Sequence, residues 1–211
     1  MTDGDLELRV AWERHLGRGE VSARWRESVV ARYREPHRHY HGVRHLKWVV
    51  RHVAELAAEH PVADLDAVVA AAFFHDAVYA PSSRDNEAAS ARLAVAALGE
   101  LGWSAERAAT VERMILGTVD HRVEGVALDD AVLFAADLGI LAADPARYSD
   151  YVRAVRREYA HVAEPDWIVG RAAVLRSFID RDAIYAAVLE LDAWEQRARG
   201  NLRSELESLR A

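Results

Sequence analysis

Ala67-Val68-Val69-Ala70-Ala71-Ala72-Phe73-Phe74-His75-Asp76 is the stretch from which the rest of the chain can be read. Its first eight residues are all apolar. A helix made of them has no polar face and must be buried on every side. We therefore expect a central helix over 64–75 with other helices packed around it. A histidine and an aspartate then stand at its end. His75 alone reads equally as a satisfied core histidine. Asp76 is harder to place, because an ionised carboxylate in apolar surroundings is costly unless it is paired, metal-bound or open to solvent. No Arg or Lys lies within a helical turn of it.

Outward from this stretch, the chain reads as helix after helix. Ala, Leu, Arg and Glu dominate, and Gly and Pro act as punctuation. Expected helices cover 5–16, 20–34, 41–59, 64–75, 86–99, 105–117, 130–142, 146–161, 166–180 and 183–209, with a loop at 77–85. Val21, Trp25, Val29 and Tyr33 mark one buried face, which Pro36 ends. Val43, Leu46, Val49, Val50, Val53 and Leu56 mark another. Tyr148, Tyr151, Val152, Val155 and Tyr159 form a packing stripe, with Arg153, Arg156 and Arg157 on the solvated side. The 183–209 helix is open between a cover for the core and a dimer contact. No alternating strand pattern, repeat or linker is present. The expected architecture is all-α, one domain over 1–211.

Asp137 repeats the anomaly of Asp76, interrupting apolar runs at 131–136 and 138–143. A salt bridge to an arginine would account for it alone; a divalent cation accounts for both carboxylates. His41 and His45 are four residues apart, a spacing that puts both on one face of a helix. His45 falls within the apolar face of its helix, whereas His37 and His39 read as part of a solvated basic start.

Composition narrows the chemistry. The chain has 211 residues, long enough to bury a substantial core, and no cysteine. Any metal must sit on histidine and carboxylate, which suits Mn, Mg, Co, Ni, Zn or Fe. The net charge of -7 argues against general nucleic-acid binding. Segment 31–47 nevertheless gathers Arg32, Arg34, Arg38, Arg44 and Lys47 against Glu35 alone. Such a local patch in an acidic protein suits a small anionic ligand better than a long polyanion. The start MTDGDLELRV lacks the features of a signal peptide, and no run approaches the ~18 apolar residues of a membrane span. The expectation is a cytoplasmic protein with no membrane partner.

His45, then His75-Asp76, then Asp137, in this order on separate helices, resembles the HD superfamily of metal-dependent phosphohydrolases. Phe74-His75-Asp76-x-x-Tyr79, Asp85-Asn86-Glu87, Thr118-x-x-His121 and Asp137-Leu138-x-x-Leu141 extend the likeness to a compact bacterial subfamily, over about residues 20–205. Tyr40-His41-Gly42-x-x-His45 is similar to the Tyr-His-Asn-x-x-His signature of cyclic-nucleotide phosphodiesterases, with Gly42 in place of Asn. The resemblance implies an HD-type helical bundle whose metal lies between central helices on His45, His75, Asp76 and Asp137. It implies His41 as general acid. It also implies that Asp85 or Glu87 orients the attacking water, although both read equally as helix-capping residues.

Arg38, Arg44 and Arg84 are candidates to grip phosphate oxygens. His121 is open between a second-metal ligand, a phosphate contact and a loop histidine. With only that histidine between the dyad and Asp137, one tight metal site is expected rather than two. Two readings compete with a phosphohydrolase: an HD-type di-iron oxygenase, and a noncatalytic metal or nucleotide sensor. A homodimer is compatible with all three.

Overall fold

The computed structural model describes residues 3–209; residues 1, 2, 210 and 211 of the expected 1–211 domain lie outside the described residues. The described chain folds into ten α-helices and two 3₁₀ segments, with no strand. The helices are α1 (Asp3–His15), α2 (Glu20–Arg32), α3 (Val43–Glu59), α4 (Leu65–Phe74), α5 (Asn86–Glu100), α6 (Ala105–Gly117), α7 (Leu128–Asp137), α8 (Pro145–Glu158), α9 (Glu164–Ile179) and α10 (Asp192–Ser208). The all-α architecture is as the composition and periodicity require. No helix among the described residues is long and apolar enough to cross a membrane.

Helix α4 is the axis. Its N-terminus is fixed by Asp64, whose side chain accepts the Ala67 N–H and is itself held by Arg107. Residues 67–74 are all buried. Alanines on three sides let α1, α3, α5, α6 and α7 approach closely. Trp12 of α1 closes one side with an edge-on contact to Phe73, ring centroids 5.0 Å apart. Helix α7 is the second wholly buried element, with residues 129–136 enclosed. Helices α3, α4 and α7 pack on one another, and the N-terminal end of α3 meets the C-terminal ends of α4 and α7.

Three boundaries differ from the sequence expectation in ways that matter for the site. Helix α3 begins at Val43, not at residue 41, so His41 lies in the turn before it. The expected helix 130–142 divides: α7 ends at Asp137 and the chain tightens into a 3₁₀ segment, Leu138–Ala142. The expected helix 183–209 starts late, at Asp192. Before it, the chain is tied down by Ile184, which is wholly buried, and by Tyr185, whose hydroxyl donates to the Leu138 carbonyl. Helix α10 covers the core of its own chain. Ala198 and Leu202 are buried, and Glu205 accepts bonds from Arg171 and Tyr148.

Candidate metal centre

Where the three helix ends meet, four side chains converge. His45 comes from the first turn of α3, His75 and Asp76 follow α4, and Asp137 ends α7. The C-terminal ends of α4 and α7 add partial negative charge there, which favours a cation. His45 Nε2 lies 3.0 Å from His75 Nε2 and 3.1 Å from Asp137 Oδ1. His75 Nε2 lies 3.5 Å from the same Asp137 oxygen. Asp76 Oδ2 stands 3.2 Å from His75 Nε2 and 3.5 Å from His45 Nε2. Among the described residues, His45, His75 and Asp137 form a group of ligand atoms that can hold a metal ion.

The donor chemistry fits such an ion. The His75 Nδ1–H donates to the Ala72 carbonyl at 2.9 Å, an arrangement that fixes the tautomer. Its Nε2 is thereby aimed into the cluster, 3.0 Å from another ring nitrogen, and has a lone pair for an ion once the ring is neutral. Among the described residues no arginine reaches either aspartate side chain, so the salt bridge that would have explained Asp137 is not made to any of them. Burial pushes the carboxyls of Asp76 and Asp137 up, but the charge on His75 and hydrogen bonds from the imidazoles outweigh it. Both lie well below the usual carboxylate range. Burial lowers the two histidines, and the aspartates more than reverse that effect, so His45 and His75 are raised. Two ionised carboxylates thus face two basic imidazoles. A divalent cation can take the place of the protons that otherwise balance them.

A second ring of contacts holds these groups in place. The Tyr33 hydroxyl donates to the Phe73 carbonyl and accepts the Asp76 N–H at 3.2 Å. His121 Nε2 lies 2.8 Å from Asp137 Oδ2 and donates to it, leaving Oδ1 for the cluster. The His121 backbone is in the left-handed region, φ 47°, an uncommon and costly conformation for a non-glycine residue. Arg181 holds it there by donating to the carbonyls of Asp120 and His121. Beside the three roles open for His121 from the sequence, the observed contact is a fourth: it orients the Asp137 carboxylate.

Arg38 is corrected by the structure. Its guanidinium is fully buried and donates to the carbonyls of Asp76 (2.6 Å), Ala77 (3.1 Å) and His41 (3.2 Å), and to Glu35. It straps the 33–42 turn onto the dyad; four of its five N–H donors are taken by these partners and the group is shut off from solvent, so it is not presented to a phosphate. Asp85 is also displaced from the expected role. It stands exposed at the start of α5, where its N–H bonds Ser83 Oγ, and it lines neither cleft beside the cluster. Its side chain makes no capping bond either.

Those two clefts share Asp137. One, of about 350 Å³, is polar and brings together His41, Asp76, Arg84, Glu87, His121 and Asp137. The other, of about 320 Å³, has His45 and Asp137 at its floor with Arg44, Trp48, Arg147 and Tyr151 around it. Arg44 therefore lines a different cleft from Arg84 and Glu87.

His41 reaches the site by a route the spacing argument did not contain. Its ring sits 5.7 Å from that of His45, centroid to centroid, but not because the two share a helix face. Glu158 of α8 places it. One oxygen of this buried carboxylate accepts the N–H groups of His39, Tyr40 and His41 at 2.7, 2.7 and 3.0 Å. The other lies 2.7 Å from His41 Nδ1 and accepts the Tyr79 hydroxyl at 2.9 Å. The turn at 39–41 is thus folded around one anion. Glu158 escaped the sequence reading, although the signal was present: with Tyr148, Tyr151 and Val155 it follows the three- and four-residue spacing of the stripe that faces inward.

Burial pushes the Glu158 carboxyl up, but the hydrogen bond from His41, the charge of that imidazole and the N–H groups of Tyr40 and His41 bring it down to about 2. A carboxyl depressed on folding stabilises the native state fully above its unfolded value, 4.5, and ceases to do so as pH falls towards about 2. Glu158→Gln cannot ionise. The stability gap between wild type and this variant should therefore narrow between those two pH values, measured by urea unfolding at each pH. A gap that stays constant over that range would show that Glu158 is not held as a carboxylate.

Comparison with known proteins adds no relative: no protein-family model, curated protein or solved structure matches the chain.

Proposed function

We propose that the protein is a metal-dependent phosphohydrolase acting on a small phosphate ester. The convergence of His45, His75, Asp76 and Asp137, with His45, Asp76 and Asp137 opening into two clefts, carries the reading. On an ion that takes five or six ligands, two imidazoles and two carboxylates leave positions open for water and a substrate oxygen, whereas the same four donors would close a tetrahedral ion. When bound, the ion would supply the charge neutralisation and the acidified water that phosphate ester hydrolysis needs.

The chain's own groups supply the rest. Glu87, half-buried in the polar cleft, is placed to orient a water, and Arg84 across the same cleft to hold a nonbridging oxygen. Ionised Glu158 only accepts, so His41 donates through Nδ1, and its Nε2 is left to face a substrate. The carboxylate stabilises the imidazolium and fixes its ring, as a buried acid partner does for a catalytic histidine. A protonated His41 can then deliver its Nε2 proton to a leaving alkoxide.

The test is metal analysis of the purified protein, followed by a screen of nucleotides and phosphomonoesters with Mn²⁺, Mg²⁺, Co²⁺, Ni²⁺, Zn²⁺ and Fe²⁺. Metal-dependent phosphate release from at least one ester, lost on chelation, is expected. Two irons per chain with dioxygen uptake would replace this reading with an HD-type oxygenase. Tight metal or nucleotide binding with no turnover under any ion would replace it with a sensor.

A further inference from the structure

The second cleft, on the His45 side of the cluster, is lined by two cations that form no ion pair among the described residues. Arg44 sits in the first turn of α3, immediately before His45, and is exposed. Arg147 sits in the first turn of α8 and is half-buried. Both line the cleft of about 320 Å³ whose floor is His45 and Asp137. Among the described residues, neither guanidinium donates a hydrogen bond or joins an ion pair.

The carboxylates nearby, Asp150 of the cleft wall among them, form no ion pair with either guanidinium. Asp144 caps α8 by accepting the Arg147 N–H, Asp150 pairs with Arg153, and Asp137 serves the imidazoles. The third arginine of this region, Arg51, is paired to Glu7 through three hydrogen bonds of 2.9–3.1 Å. The contrast is therefore local to Arg44 and Arg147.

Arg147 is also fixed in position. Its guanidinium carbon lies 3.3 Å from the centroid of the Trp48 ring. Stacking uses the π face of the guanidinium and leaves its N–H groups, which lie in the plane, free to bind. Burial lowers its pKa, and the like charges of Arg44 and Arg51 act in the same direction, against the opposite pull of Tyr40 and Asp144. An anion lodged between Arg44 and Arg147 would relieve both the repulsion and the unmet donors.

We propose that Arg147, together with Arg44, forms an anion subsite in this second cleft, and that the ligand is a phosphate ester bearing a second anionic group, phosphoryl or carboxylate. The first phosphate in this scheme rests on the phosphohydrolase reading; the arginine subsite does not.

The test is calorimetric binding of methylphosphonate, methylenediphosphonate and phosphonoacetate to the protein, with and without Mn²⁺. Arg147→Met keeps a long side chain against Trp48 and removes the charge. Arg44→Gln, at an exposed position, guards against a folding defect in the first variant. In wild type, at least one bis-anion should bind about tenfold or more tightly than methylphosphonate. Either substitution should remove most of that advantage. An advantage confined to methylenediphosphonate identifies a second phosphoryl group; an equal one for phosphonoacetate identifies a carboxylate.

If the bis-anion advantage persists in both variants, it is chelation of the ion, and the subsite is wrong even where wild type hydrolyses esters. If no ester is hydrolysed but bis-anions still bind metal-free protein through these arginines, the subsite stands and the phosphohydrolase reading falls.

Discussion

Asp137→Ala should abolish tight binding of a divalent ion while the helical fold survives. Removing an outer-shell partner of a metal ligand typically costs ~10–100-fold in affinity. Asp137 offers a ligand oxygen itself, so the loss should exceed about 100-fold. Its Oδ1 lies within 3.5 Å of both imidazole nitrogens, and no neighbour replaces the lost charge. Asp76→Ala should act in the same direction, because its Oδ2 faces the same two nitrogens. Alanine is the best helix former, and the apolar faces of α3, α4 and α7 are untouched, so circular dichroism should not change. The measurement is metal content after gel filtration, with affinity read by competition against a chelating dye. Stoichiometric metal at native affinity in either variant would show that the coordination sphere is misassigned.

His41→Ala separates ligand from acid. The imidazole faces the cluster from outside the donor group and is bonded to Glu158, so its loss should leave metal affinity intact. Turnover should fall by ~10²–10⁴, the usual contribution of a general acid. The loss should depend on the leaving group. p-Nitrophenolate departs with little help, so p-nitrophenyl phosphate should suffer less than an alkyl phosphate. Glu158→Gln should give an intermediate loss with the same leaving-group trend. Glutamine can still accept backbone N–H groups, but it does not stabilise an imidazolium. Equal losses for the two substrates would make His41 a phosphate contact, and loss of metal would make it a ligand.

The sequence by itself determined the helical class and the identity of the buried anomalies. Residues 67–74 can be buried on all sides only inside a bundle, and a carboxylate set into such runs must find compensation. That requirement singled out Asp76 and Asp137 before any geometry was known, and the order of His45, His75, Asp76 and Asp137 suggested a common partner. Periodicity is a local property, and these inferences needed nothing more.

Only the tertiary structure decided which neighbours meet across the chain. Arg38 reads as a free cation in a basic segment, yet packing buries it against the carbonyls of residues 76 and 77. Glu158 reads as one acid near a helix end, and it becomes the anion around which 39–41 folds, more than a hundred residues away in sequence. His121 acquires its role from a left-handed backbone that no local pattern signals. Asp85, close to the dyad in sequence, is left outside because the turn before α5 points it to solvent. For Arg38 and Glu158 the deciding term is desolvation: burial obliges a charged group to find partners, and which partners it finds depends on contacts between segments distant in the chain.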